Sequence, residues 1–190
     1  SNTVQDVGGA IINTDHSVMT VTNTSIVSNT ALDEGGGIYN VDQSVLNLIN
    51  STVSQNYATN DYGGILNTAA SMIISNSNVL SNSTPGDGGG VANHSTGSLT
   101  VNNSLIAYNS AQSEGGGIFN IFSVLNVNNS SVVSNTAQSG AGLFHQQSSG
   151  AYLSNTTVGY NIASDRGGAI YSVLSTLSVT NSSLVSNTAQ

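Results

Sequence analysis

An asparagine recurs every 26 or 27 residues from one end of this chain to the other: Asn2, Asn29, Asn56, Asn82, Asn109, Asn135, Asn161 and Asn187. A second asparagine column keeps the same step through Asn23, Asn50, Asn76, Asn103, Asn129, Asn155 and Asn181. Self-similarity at a fixed period of this size marks a stacked repeat, in which each unit buries its apolar face only against its neighbours. The period is unbroken, so residues 1–190 read as one domain with no linker.

Aliphatic residues follow the same period in four columns. One runs Ile11, Ile38, Ile65, Val91, Ile118, Leu143, Ile170, and a second Met19, Leu46, Met72, Leu99, Leu125, Ala151, Leu177. The third is Val21, Leu48, Ile74, Val101, Val127, Leu153, Val179, and the fourth Ile26, Val53, Val79, Ile106, Val132, Val158, Leu184. Between them stand Thr, Asn, Ser and Tyr, as on a solvated face. Within one period, Ile38–Asn40, Val45–Ile49 and Thr52–Gln55 read as short strands with inward alternation, bounded by Gly, Asn, Asp and Ser. A helical solenoid would place apolar residues at i, i+3, i+4 and i+7, which this chain does not. The expected fold is all-β: a parallel β-helix of about seven coils with three short strands per coil.

In such a stack, in-register Asn side chains hydrogen-bond to their counterparts one coil away, and Asn also tolerates the left-handed backbone of tight turns. The N-x-[ST] sequons within ladder columns are therefore expected to face inward. His145 falls in the column of Asn40, Asn67, Asn93 and Asn120 and reads as a ladder substitution, whereas His16 and His94 fall in polar loops just after that position. Glycines at 35–37, 63–64, 88–90, 115–117 and 167–168 recur at one bend. Small residues at Ala31, Ala58, Thr84, Ala111, Ala137, Ala163 and Ala189 mark a narrow corner. The one irregular patch is coil six, with Gly140-Ala141-Gly142 followed by Gln146-Gln147-Ser148-Ser149-Gly150.

The segments GGGIYN (35–40), GGGIFN (115–120) and GGAIYS (167–172) follow aliphatic-x-x-Asn units such as Ile26-Val27-Ser28-Asn29. This pattern resembles the GGA[I/L] and FxxN repeats of chlamydial polymorphic outer membrane proteins, and is more similar still to repeats of large bacterial surface β-helix proteins. An aliphatic residue takes the place of Phe in each FxxN. The resemblance implies a right-handed β-helix in a passenger or stalk domain exposed on a bacterial surface, often adhesive.

Composition narrows the partners. Lys and Arg together number 1 against 9 acidic residues, a formal net charge of −8. Nucleic-acid binding requires cations that displace phosphate counterions, and an anionic membrane surface asks for the same; neither is expected. No apolar run is long enough for direct membrane insertion. With 0 cysteines, a disulfide framework and a thiolate metal site are excluded. The nearly Lys-free, Asn/Ser/Thr-rich composition fits an extracellular or cell-surface protein.

Carboxylates recur just before the glycine clusters: Asp6, Asp33, Glu34, Asp61, Asp87, Glu114 and Asp165. At an intercoil spacing of about 4.8 Å, stacked carboxylates repel by roughly 1 kcal/mol per pair in water. In one reading solvent screens them. In the other, Ca²⁺ bridges successive turns through Asp33, Glu34, Asp61, Asp87 and Glu114, since hard cations prefer carboxylate and carbonyl oxygen. The repeat is not the nonapeptide calcium motif.

Catalysis is not expected. A glycosidase needs two carboxylates with differently tuned acidity, yet every member of this acidic turn column occupies an equivalent repeat position. A polysaccharide lyase needs cationic groups that the chain lacks. Arg166 is expected to pair with a carboxylate of a neighbouring coil. Tyr39, Phe119, Phe144 and Tyr171 share one column, interrupted by Ile12, Leu66 and Ala92, and read as ordinary packing.

The expectation from sequence is a non-enzymatic structural β-helix of a bacterial cell-surface or extracellular fibre. An adhesin passenger binding a host or glycan ligand is the alternative, and a polysaccharide-active enzyme the weaker one. The chain begins and ends in the same phase of the repeat, Ser1-Asn2-Thr3 and Ser186-Asn187-Thr188, with no capping unit. That reads as a segment of a longer rod or as a subunit stacking head to tail with copies of itself.

Overall fold

The computed structural model describes residues 1–147 and 150–190. The chain winds as a parallel β-solenoid of seven coils, with one eight-stranded and three seven-stranded parallel sheets along its length. In coil two the strands are Ile38–Asn40, Val45–Ile49, Thr52–Ser54 and Tyr57–Ala58. The first three are those the aliphatic alternation calls for. The fourth is usually only two residues long and follows the first asparagine column, where the small residues turn the corner. The sheets are numbered here in that order along the coil.

The register is the period itself. Ile38 pairs with Ile65, Ile65 with Val91, Val91 with Ile118, and Ile118 with Leu143. Equivalent residues therefore lie one above another, and the four aliphatic columns form one continuous core from Val21 to Val158. In the outermost coils Ile11, Met19, Leu177 and Val179 are only partly buried, because each has a neighbouring coil on one side only. The narrow corner is also present: Ala111, Ala137, Ala141 and Ala163 pack together.

Two asparagine columns share a period and do different work. Each Asn from Asn2 to Asn161 donates both its backbone N–H and its Nδ2 to the Oδ1 of the next Asn, at 2.9–3.1 Å. From Asn56 onward, Nδ2 also donates back to a carbonyl of the third sheet, as Asn109 does to Val79 at 3.0 Å. The interior rungs are fully buried with their donors satisfied, as polar groups in a low-dielectric core must be.

The second column forms no such ladder. Asn23, Asn50, Asn76, Asn103, Asn129, Asn155 and Asn181 all adopt left-handed backbone with φ of 48–51° and are exposed. Their side chains face solvent because the residue is there for its backbone, which a non-Gly L-residue tolerates best as Asn. The sequons at Asn23, Asn50, Asn129, Asn155 and Asn181 are thus outward, contrary to the inward expectation, while those at Asn82 and Asn93 are buried.

One further ladder went unread in the sequence. The residue after each left-handed Asn carries a hydroxyl. The backbone N–H of Thr24, Ser51, Ser77 and Ser104 donates to the Oγ of Ser51, Ser77, Ser104 and Ser130, at 3.0–3.1 Å. The signal was visible as an N-[ST] dipeptide in phase, but it merged into a background rich in both residues.

Coil six is irregular where the sequence departs from its pattern. The fourth-sheet strands lengthen to Thr136–Ser139 and Ile162–Arg166, with a register shift between Ala137 and Ser139. Ser148 and Ser149 of the same patch lie outside the described residues.

Candidate functional site

The residue after each inward first-sheet aliphatic points out of the solenoid, and the glycine turn folds back over it. Leu66, Ala92, Phe119 and Phe144 form a buried cluster outside the main core, with Tyr39, Tyr62, Ile121 and Tyr171 packed against it. Phe119 and Phe144 stack at 5.5 Å with an interplanar angle of 11°, an offset arrangement that aromatic pairs favour. Gly115, at φ 67°, shows why the turn needs glycine: a Cβ there would sit 2.7 Å from the Cβ of Phe119.

Coil three breaks that rule. Tyr62 occupies the turn position held by Gly35, Gly88 and Gly115 in other coils, and it keeps their left-handed backbone at φ 62°. Its ring centroid lies 6.5 Å from that of His94 in coil four and 5.9 Å from that of Phe119 in coil five. It therefore covers the level where the outward column holds only Ala92. Sequence reasoning passed over Tyr62, though a tyrosine at a glycine position beside the smallest member of the column was the available clue.

The carboxylates line the edge of this aromatic column, in two adjacent files. Asp33 aligns with Asn60, whose Nδ2 donates to Asp33 Oδ1 at 3.2 Å. Glu34, Asp61, Asp87 and Glu114 form the second file, with Glu34 bridged to Asp61 through parallel backbone pairing. Here the side chains anchor the next turn. Asp61 Oδ1 accepts the backbone N–H of Asp87 at 2.7 Å, and Asp87 Oδ1 accepts that of Glu114 at 3.0 Å.

The electrostatic consequence is local. Burial first, then Asp33 and Asp61, raises the Glu34 carboxyl above its ordinary range. Burial first, then Asp87, does the same for Glu114. The Tyr62 hydroxyl is held well above its usual range by burial and then by Asp61, Glu34 and Asp87. Both effects disfavour added negative charge. Among the described residues no three His, Asp or Glu side chains converge as a metal centre would need; Asp33 stands in one file, and Glu34, Asp61, Asp87 and Glu114 in the other.

The remaining candidates fall apart in space. His16 sits in a left-handed turn at φ 62°. His94 ends the strand Val91–His94 rather than lying in a loop, with Nδ1 2.7 Å from Ser95 Oγ, and burial lowers its pKa. His145 is buried in the first-sheet ladder, as its column demands. Arg166 pairs within its own coil, contrary to the cross-coil expectation. Its Nε lies 3.5 Å from Asp165, and its Nη1 donates to the Tyr171 hydroxyl at 3.3 Å. Adjacency in the exposed strand end outweighs a reach across coils.

Compared with family models, curated proteins and solved structures, the chain shows no match.

Proposed function

We propose that this chain is a rigid, non-enzymatic rod serving as a structural element of an extracellular or bacterial cell-surface fibre or stalk. The observation that carries this reading is the ladder from Asn2 to Asn187, in which every coil repeats the buried hydrogen bonds of the one before. Stiffness built that way is uniform along the axis, and the rod's output is length, at about 4.8 Å per coil. The reading also supplies a partner. On it, the partner is a further rod of the same kind, associating head to tail or side by side.

Whole-coil deletion tests it. Removing residues 82–108, one period between Asn82 and Asn109, joins equivalent positions. A spacer keeps its cross-section by X-ray scattering and loses one coil of length. Turnover of any polysaccharide that this deletion abolishes would sink the non-enzymatic reading. Immunogold labelling confined to the interior of the source cells would sink the location.

A second reading, an adhesin recognising a glycan, has one observation in its favour. Tyr108 and Tyr160 are 64% and 58% exposed on the same left-handed turn two coils apart, about 10 Å along the axis. Bulky residues in that backbone state are strained, and such strain gathers at binding sites. Saturable binding on a glycan array that Tyr108→Ser and Tyr160→Ser remove would establish this reading.

A further inference from the structure

The corner between the second and third sheets holds an asparagine in every coil, and its backbone favours that residue without demanding it. From Asn23 to Asn181 this corner keeps φ of 48–51°. The corner between the third and fourth sheets makes the same turn, with φ of 51–59° at Ser28, Gln55, Ser81, Tyr108, Ser134, Tyr160 and Ser186. In coil four the two turns match bond for bond. Asn103 donates its N–H to the Asn128 carbonyl at 3.1 Å, and Tyr108 donates its own to that of Val133 at 3.3 Å. Each is followed by a buried ladder residue, Ser104 or Asn109, whose N–H donates to Ser130 Oγ or Asn135 Oδ1. Left-handed turns tolerate Asn well, yet the twin turn is filled by Ser, Gln and Tyr and never by Asn.

The side chains show what the fold leaves unused. All seven asparagines of the column are exposed, and among the described residues their amides have no hydrogen-bond partner. The hydroxyl one residue on is used: Ser51 Oγ accepts the Thr24 N–H at 3.1 Å and donates to the Ile49 carbonyl at 2.7 Å. The hydroxyl two residues on is not. Ser25, Thr52, Ser131, Thr157 and Ser183 open third-sheet strands outside the core, with no side-chain bond among the described residues. Five coils therefore present a free amide and a free hydroxyl at the spacing N-x-[ST], which marks an acceptor of sugar on a protein surface.

We propose that Asn23, Asn50, Asn129, Asn155 and Asn181 are N-glycan acceptors, a file of modification sites along one edge of the rod. The donor is a sugar activated as a glycosyl pyrophosphate, brought by a transferase. The Asn Nδ2 forms a bond to the anomeric carbon as that carbon's bond to the pyrophosphate oxygen breaks. The pyrophosphate leaves with the electron pair, and one Nδ2 proton passes to a base of the transferase.

The same fold withholds the other sequons. Asn82 and Asn93 are 0% exposed and commit Nδ2 to ladder bonds. At Asn102 and Asn128 the required hydroxyl is that of Ser104 or Ser130, buried in the hydroxyl ladder. Asn76 and Asn103 share the exposed column, but Asn78 and Leu105 stand where the second hydroxyl should be. Sugar thus falls on coils one, two, five, six and seven, and coils three and four stay bare.

The test is peptide mass spectrometry with electron-transfer fragmentation on the chain purified from its source cells. The expected result is sugar mass on the five acceptors and none on Asn76, Asn82, Asn93 or Asn103. A single hexose at each site would support a nucleotide-activated donor, and a preassembled oligosaccharide a lipid-linked one. Ser131→Ala should empty Asn129, and Asn78→Thr should bring sugar to Asn76; both changes lie outside the core and leave the turn residue in place. A chain of unmodified mass would overturn the proposal, as would equal occupancy of Asn76 and Asn129 in the wild type.

Discussion

Tyr62 and Phe119 belong to coils two apart, yet their ring centroids are 5.9 Å apart. Consecutive rings in the outward column are bridged by strand pairing, as Phe119 and Phe144 are. This contact instead spans coil four, where the column holds Ala92. The turn donates a ring that the strand lacks, and accepts left-handed backbone at a tyrosine to do so.

Tyr62→Gly should therefore relieve backbone strain of about 1 kcal/mol and lose ring burial worth roughly 2 kcal/mol, a net destabilisation of about 1 kcal/mol. Ala92→Phe alone overcrowds the filled space, by about 1–3 kcal/mol. Combined, the two should cost less than their sum. A double-mutant cycle in denaturant measures this, and strict additivity would refute the compensation.

The two asparagine columns should answer alanine differently. Asn109→Ala strands the backbone N–H and one of the two Nδ2 hydrogens of Asn82 in the core, the other staying on the Val53 carbonyl, and each buried donor left alone costs about 1–3 kcal/mol. Asn103→Ala removes no interior partner and should cost about 1 kcal/mol through its left-handed backbone, while Asn103→Gly should be close to neutral. Thermal melts of the three variants decide it.

Asp87 discriminates an anchor from a cation ladder. As an anchor its Oδ1 holds the Glu114 N–H, so Asp87→Asn should retain stability where Asp87→Ala loses about 1 kcal/mol. Melting temperatures with millimolar Ca²⁺ and with a chelator should then coincide. A calcium-dependent rise that Asp87→Asn abolishes would establish the ladder instead.

Glu34 gives the rod a dependence on pH. Its folded pKa is raised, by burial first and then by Asp33 and Asp61, so folding favours the protonated carboxyl. Its contribution is fully present below the unfolded carboxyl value and is lost as pH rises through the folded one. Glu34→Gln should accordingly raise the melting temperature at neutral pH, with the gain vanishing toward about pH 4. A gain that persists unchanged at the acid end would rule this out.

Much of the architecture was legible in the chain because its cause is one-dimensional. A period kept in four aliphatic columns implies stacked, in-register coils, and the burial of Ile38, Leu46, Leu48 and Val53 follows from spacing alone. The inner rung at His145 was legible for the same reason. The difference between Asn109 and Asn103 was not, since both recur at the same step and only the backbone angle separates a buried amide from an exposed turn.

The candidate site was less visible. The acidic residues could be aligned from sequence, but not the bonds from Asp61 and Asp87 to the next turn's backbone, which depend on how far each turn folds back. Arg166 paired with its neighbour Asp165 because side-chain reach is a matter of three dimensions.

The repeat alone determined that this chain is a parallel β-solenoid with amide ladders, because stacking identical coils leaves each column one environment. Tertiary structure decided what breaks the repeat: Tyr62 spanning a coil above Ala92, and His145 set between the Asn120 amide of one neighbouring coil and the Thr176 carbonyl of the other. Those outcomes depend on donors, acceptors and rings meeting across coils, where a residue's partner is named by geometry and not by its place in the period.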